Sequence, residues 1–214
     1  MVDPSVVASQ VADIRDDISR LASHLVSIVA VTKTFPTDAW VAASNAGCDG
    51  LGENYAQELL DKIQVIPAPL PVHFIGAIQS NKVKAVAPYV AVWQGVDRPS
   101  VVSEIAKRAP GATVLLQVNT TNEESKSGVT PTELDHLREA AETAGLSVAG
   151  LMTLGPTNGK DQDIRASFTA LRALADAHHL RECSMGMSGD YRIALECGST
   201  IIRIGSMLFG ERNR

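Results

Sequence analysis

A parallel (β/α)8 TIM barrel is the fold this sequence predicts, and three observations predict it. Short strand-like runs, most of them rich in β-branched residues, recur eight times: Val26–Val31, Gly50–Glu53, Val72–Ile75, Val90–Val96, Thr113–Val118, Ser147–Met152, Leu180–Ser184 and Thr200–Ile204. Helix-like stretches separate each run from the next, at about 37–46, 54–64, 80–87, 98–108, 131–144, 161–178 and 188–197. Runs such as Val114-Leu115-Leu116 are apolar without interruption, as strands buried on both faces are. Alternating strand and helix signals imply a parallel sheet, and eight such units in 214 residues suit a small barrel. An open, doubly wound sheet is the alternative with the same alternation.

The segment ahead of the first strand reads as a helix. Val6, Val7, Val11, Ile14, Ile18 and Leu21 follow a 3.6-residue period, with Asp13, Arg15, Asp16, Asp17 and Arg20 largely on the other side. Pro4 suits its start. Residues 1–214 are expected to form a single domain, with length enough for one sizeable core. Apolar residues make up 45% and charged residues 20%, which excludes a disordered chain. A net charge of −5 and an aromatic content of 4% argue against a nucleic-acid binder working through a basic face or stacked bases. Cys48, Cys183 and Cys197 form no Cys-x-x-Cys pair and read as reduced thiols. No signal-like segment opens the chain, and no apolar stretch approaches the roughly 20 residues of a membrane span. The expected location is the cytoplasm.

Barrel active sites form where strands end and the following loops begin. Lys33 follows the apolar run Ile28-Val29-Ala30-Val31-Thr32. A lysine delivered to the mouth by a buried strand loses hydration, and the neutral amine then becomes accessible for Schiff-base chemistry. Sequence position alone reads equally as a solvated lysine at a strand end. Ser184-Met185-Gly186-Met187-Ser188-Gly189-Asp190 is a glycine-containing turn with Ser188 placed like a helix N-cap. Arg203-Ile204-Gly205-Ser206 makes a second small-residue turn. Barrels commonly bind phosphate with the loops after strands 7 and 8, where backbone N–H groups are available.

Several segments together resemble the pyridoxal phosphate (PLP) homeostasis proteins, a family similar to the N-terminal barrel domain of alanine racemase. They are Ala30-Val31-Thr32-Lys33-Thr34, Gly52 through Glu58, His73 through Lys82, Val118-Asn119 with Glu124, Lys126 and Gly128, Gly150 through Thr153, Ser184 through Asp190, and Gly198 through Gly210. The resemblance runs in register from about residue 5 to the end. It implies PLP held as a Schiff base on Lys33, with Ser188, Gly205 and Ser206 gripping phosphate. It further implies Arg203 facing the pyridine nitrogen and Asn54 near the cofactor. Ser206 stands where many relatives carry threonine, and it keeps the hydroxyl. Pro156–Lys160 reads as a variable loop without contacts.

On that resemblance the chain is a carrier or regulator of intracellular PLP rather than an efficient enzyme, with apo PLP-dependent enzymes as recipients. A cation at the pyridine nitrogen disfavours its protonation and weakens the electron sink. The tyrosine that racemases supply from a second domain has no counterpart before Arg214, and the same absence of a dimerisation domain suggests a monomer. A weak amino-acid racemase, or another Schiff-base barrel enzyme such as an aldolase, is the competing class. Lys126 reads as a solvated loop lysine or a transient PLP contact, and Lys82 as a helix-start lysine with a weaker claim on an anion. His73 reads as a core histidine. His178-His179 reads as a solvated helix end, and Met152, Met185 and Met187 as packing. Five histidines without ligand spacing suggest no metal site.

Overall fold

The computed structural model describes residues 2–121, 123 and 125–210. Glu124 and Arg214, both used in the sequence reading, lie outside the described residues. Eight parallel strands close into a barrel in sequence order. They are β1 (Ser27–Val31), β2 (Gly50–Glu53), β3 (Val72–Phe74), β4 (Val92–Val96), β5 (Thr113–Gln117), β6 (Ser147–Met152), β7 (Glu182–Ser184) and β8 (Ile201–Ile204). The helices are α1 (Pro4–Leu21), α2 (Thr37–Asn45), α3 (Ala56–Val65), α4 (Ser80–Val86), α5 (Pro99–Arg108), α6 (Leu134–Thr143), α7 (Asp161–Ala177), α8 (Tyr191–Glu196) and α9 (Ser206–Phe209). The open-sheet alternative is excluded by the last pairing: β8 bonds back to β1, with Ser27 opposite Ile201 and Val29 opposite Arg203.

Strand alternation divides the buried residues into two sets. Ile28, Ala30, Leu51, Phe74, Trp93, Ile202 and Ile204 face the surrounding helices and belong to the main core. Val29, Leu115, Met152 and Ile201 form a smaller cluster inside the barrel. Glycines on β2 leave interior volume that neighbours fill. A Cβ on Gly50 would come within 2.9 Å of the His73 ring, and one on Gly52 within 3.1 Å of the Val29 side chain.

The first helix follows its predicted stripe. Val7, Val11, Ile14 and Ile18 are buried, Leu21 is partly so, and Val6 is exposed. Asp3 caps the helix by accepting from Ser5 N–H at 2.9 Å. Asp17, expected on the polar side, is buried instead. Tyr191 Oη and Arg192 Nε each donate to its Oδ2 at 2.6 Å, so the carboxylate ties α1 to α8. Those bonds, the tyrosine's first, hold the Asp17 carboxyl below its usual range despite burial.

The strand ends approach closely at the mouth. A Cβ on Gly76 would lie 2.2 Å from the Asn54 backbone oxygen, a contact no side chain tolerates. Gly76→Ala is therefore expected to displace Asn54 and destabilise the fold by about 1–3 kcal/mol. Urea unfolding of the variant beside wild type measures this, and an unchanged midpoint would contradict it.

Candidate functional site

The period of two along β1 carries past its end, so Val29, Val31 and Lys33 share the inward side while Thr32 faces the helices. The same logic places Ile201 and Arg203 inward on β8. Pairing of β8 with β1 then sets these residues side by side around a cavity of about 570 Å³. All six residues expected to bind cofactor line it: Lys33, Asn54, Ser188, Arg203, Gly205 and Ser206. Such a volume suits a small organic phosphate.

Arg203 forms the cavity's charged floor and is 3% exposed. Its Nη1 donates to Ser184 Oγ at 2.6 Å and its Nη2 to the Thr153 carbonyl at 2.8 Å. Burial lowers its pKa to about 10, which leaves it a cation at neutral pH. The polar chain continues across the interior. Ser184 Oγ donates to Gln94 Oε1 at 2.6 Å, and Gln94 Nε2 donates to His73 Nδ1 at 2.7 Å. Every donor in this series points away from Arg203, which fixes the His73 ring with its proton on Nε2. His73 is thus the core histidine expected, 8% exposed, and burial lowers its pKa to about 4.

Just past Arg203, the turn after β8 presents backbone donors. The N–H groups of Gly205 and Met207 both point at Ser188 Oγ, at 3.3 and 3.2 Å. Ser188 is not the helix N-cap. α8 begins at Tyr191 with Asp190 in the capping position, and the Asp190 carboxylate accepts from Met187 N–H at 2.5 Å. That bond tightens the turn and frees the serine hydroxyl to face the β8 loop. Burial raises the Asp190 pKa, against bonds from the Met187 backbone and the nearby charge of Arg203. Asn54 contributes a buried Oδ1 without a hydrogen-bond partner.

The sequence reading missed part of the wall. Pro156 and Thr157 line the cavity, although their loop was expected to make no contacts. Thr157 Oγ1 donates to Glu123 Oε2 at 2.8 Å, which straps the β6 loop to the β5 loop. Lys126 also lines the cavity rather than standing in solvent. Its Nζ donates to the Gly155 carbonyl and pairs with Glu123 at 3.0 Å. Ile75, Leu154 and Met187 add apolar lining, and nothing in their sequence spacing marked them. Lys82 is exposed on α4 and is not part of the lining. His178, at the end of α7, is half-buried beside Asp135 and Arg138.

The free thiols lie elsewhere. Burial pushes Cys48 and Cys183 up to about 12, so neither is a nucleophile at neutral pH. Among the described residues no group of three or more His, Cys, Asp or Glu is placed to hold a metal ion, and no helix is long and apolar enough to cross a membrane.

A barrel with an inward lysine after β1, a buried arginine on β8 and phosphate-type donors after β8 defines a class. Residues 10–213 match the family described as alanine racemase, N-terminal domain. The pyridoxal phosphate homeostasis protein of Vibrio cholerae is 38% identical over 223 residues, covering 97% of this chain and 94% of that one. A solved protein from Bifidobacterium adolescentis superposes with a TM-score of 0.90 at 31% identity, over 98% of each chain. PipY of Synechococcus elongatus, solved with PLP bound, superposes at 0.82 with 28% identity, over 95% of this chain and all of that one. This chain belongs to the pyridoxal phosphate homeostasis protein family, within the alanine racemase N-terminal-domain barrels.

The interior relay has a pH signature. Between pH 6.5 and about 4 the unfolded chain takes up a proton that folded His73 refuses. Stability therefore falls as pH drops through that window, by up to about 3 kcal/mol from this group. His73→Gln keeps an acceptor for Gln94 and removes the titration, so its stability should fall less steeply. Denaturant melts at pH 7, 5.5 and 4.5 compare the two slopes, and identical slopes would contradict the assignment.

Proposed function

We propose that this chain binds PLP in the mouth cavity, holds it as a Schiff base on Lys33, and serves as a carrier or regulator of the cofactor. The observation that carries the reading is the convergence of Lys33, Arg203, Ser188, Gly205 and Ser206 on one cavity. Those residues fit the group. The Gly205 and Met207 N–H groups, which donate to Ser188 Oγ, stand beside the cavity at the end of β8. The Ser188 and Ser206 hydroxyls line it, so phosphate oxygens would meet hydroxyl and backbone donors there. The PLP-bound structure of PipY supports the same assignment.

Bound PLP supplies an electrophilic aldehyde and a ring that delocalises negative charge. Each residue then has a task. Lys33 presents its amine from the inward side of β1. Ser188, Gly205 and Ser206 would hold the phosphate. Arg203, a buried cation, would stand toward the ring nitrogen and disfavour a proton there. Asn54 offers its amide at the rim. Among the described residues lining the cavity there is no tyrosine or histidine to move a proton on the far face, and Lys126 is bonded to Gly155 and Glu123. That supports sequestration and release over racemisation or aldol chemistry. Apo PLP-dependent enzymes are the recipients this reading implies, with a monomeric, cytoplasmic protein as the donor.

The test is spectroscopic. Wild type with PLP should show the visible band of a protonated Schiff base, lost in Lys33→Ala, and borohydride should fix a pyridoxyl group on Lys33 by peptide mapping. No band in wild type would sink the reading. Ser188→Ala is expected to weaken PLP binding by roughly tenfold, from loss of one hydrogen bond to a charged group, while pyridoxal without phosphate binds both proteins alike. Carrier and enzyme separate in two assays. The loaded protein should reactivate an apo-enzyme while a phosphatase destroys free PLP, and amino acids in deuterium oxide should show no exchange at Cα above that of free PLP.

A further inference from the structure

Side chains outside the barrel wall hold the backbone on both sides of Lys33. Upstream, Lys62 Nζ donates to the Thr32 carbonyl at 2.7 Å. Downstream, Thr34 N–H donates to Glu58 Oε1 at 2.5 Å. Glu58 and Lys62 stand one turn apart on α3, and the ammonium pairs with Glu58 at 2.8 Å and with Glu53 at 2.7 Å.

These contacts are built, not incidental. Lys62 is 5% exposed and lies 5.7 Å from the Trp40 ring centre. Burying an ammonium is costly unless charge and hydrogen bonds compensate it, and here two carboxylates and a carbonyl do so. Thr32 Oγ1 and Trp40 Nε1 complete the cluster by donating to Glu53 Oε1 at 2.7 and 2.9 Å. Thr34 has a φ of 69°, in the left-handed region that a β-branched residue seldom occupies. Such a conformation persists only where its surroundings enforce it. Phe35 N–H closes the turn by donating to the Thr32 carbonyl at 3.1 Å, and the Glu58 carboxylate braces the turn from α3 by accepting the Thr34 N–H.

We propose that the Glu58–Lys62 pair is the positioning device for Lys33, fixing the peptides before and after it so that its amine enters the cavity. Neither residue lines that cavity, so both act through the Lys33 backbone. The proposal rests on Lys33 being the PLP-holding lysine. It also assigns a role to the Glu and the Lys of α3 beyond fastening that helix to the barrel.

The experiment compares wild type with Glu58→Ala, Glu58→Asp and Glu58→Gln in three readouts. Amide hydrogen exchange at Thr34, measured without ligand, reads the bond itself. PLP titration reads affinity, and circular dichroism of the Schiff-base band at saturation reads how rigidly the chromophore is held. Glu58→Ala should exchange the Thr34 amide at least about tenfold faster and bind PLP about 10- to 100-fold more weakly. Its dichroism per bound chromophore should fall. Glu58→Gln keeps an acceptor and should recover most of both. Glu58→Asp, which keeps the charge but shortens the reach, should fall between them and serves as the decisive variant if Glu58→Ala does not fold. Faster exchange with unchanged affinity and dichroism would reduce the pair to a helix fastener and overturn the proposal. Unchanged exchange would overturn it as well. A wild type without a Schiff-base band would instead remove the Lys33 assignment, and this proposal with it.

Discussion

Hydrogen bonding between the first strand and the last governs the mouth of this barrel. Val29 lies opposite Arg203 and Ala30 opposite Ile204, so residues almost 175 positions apart become neighbours across one ladder. Lys33 extends one edge of that seam and Gly205-Ser206 the other. A one-residue slip would turn Arg203 out toward the helices and Lys33 away from the phosphate-type donors, because side chains alternate faces along a strand. The apolar residues resist such a slip. Ile28, Ala30, Ile202 and Ile204 are packed under the helices, while Val29 and Ile201 fill the interior.

The interior is only partly apolar, and its polar groups form a connected series rather than isolated cases. Arg203, Ser184, Gln94 and His73 pass hydrogen bonds in a single direction across the barrel. A buried cation is tolerable because Ser184 and Thr153 accept from its guanidinium and the Asp190 carboxylate stands near it. The series also leaves the guanidinium little freedom. Polarity on the outer side of the wall is organised separately. Glu53 of β2 meets Lys62 of α3, which also pairs with Glu58 one turn away, and these α3 residues bond the peptides on either side of Lys33.

A barrel of this kind holds its ligand with rigid strand ends on one side and loops on the other. β1 and β8 supply the lysine, the arginine and the backbone donors. The β5 and β6 loops supply Lys126, Pro156 and Thr157, strapped together by Glu123. The rigid side suits recognition of a fixed phosphate and ring.

Much was legible in the chain itself. Eight strand-like runs and their intervening helices fell within a few residues of the observed elements, because short apolar runs and helical periodicity are local properties. Lys33, Asn54, Ser188, Arg203, Gly205 and Ser206 stood out from their places at strand ends and turns and from the matching motifs. Local pattern misplaced what depends on distant partners. Asp17 read as solvent-facing until Tyr191 and Arg192, from the other end of the chain, gave its carboxylate a buried home. Ser188 read as a cap, yet the neighbouring Asp190 took that position and the serine turned toward Gly205 and Met207. Pro156 and Thr157 carried no chemical signal, since apolar and hydroxyl lining is chosen by shape. The sequence by itself determined which elements form and which residue types stand at their ends. Tertiary structure alone decided that β8 closes on β1 and that α3 grips the peptides around Lys33, because contacts between residues far apart in the chain are set by packing and register rather than by local periodicity.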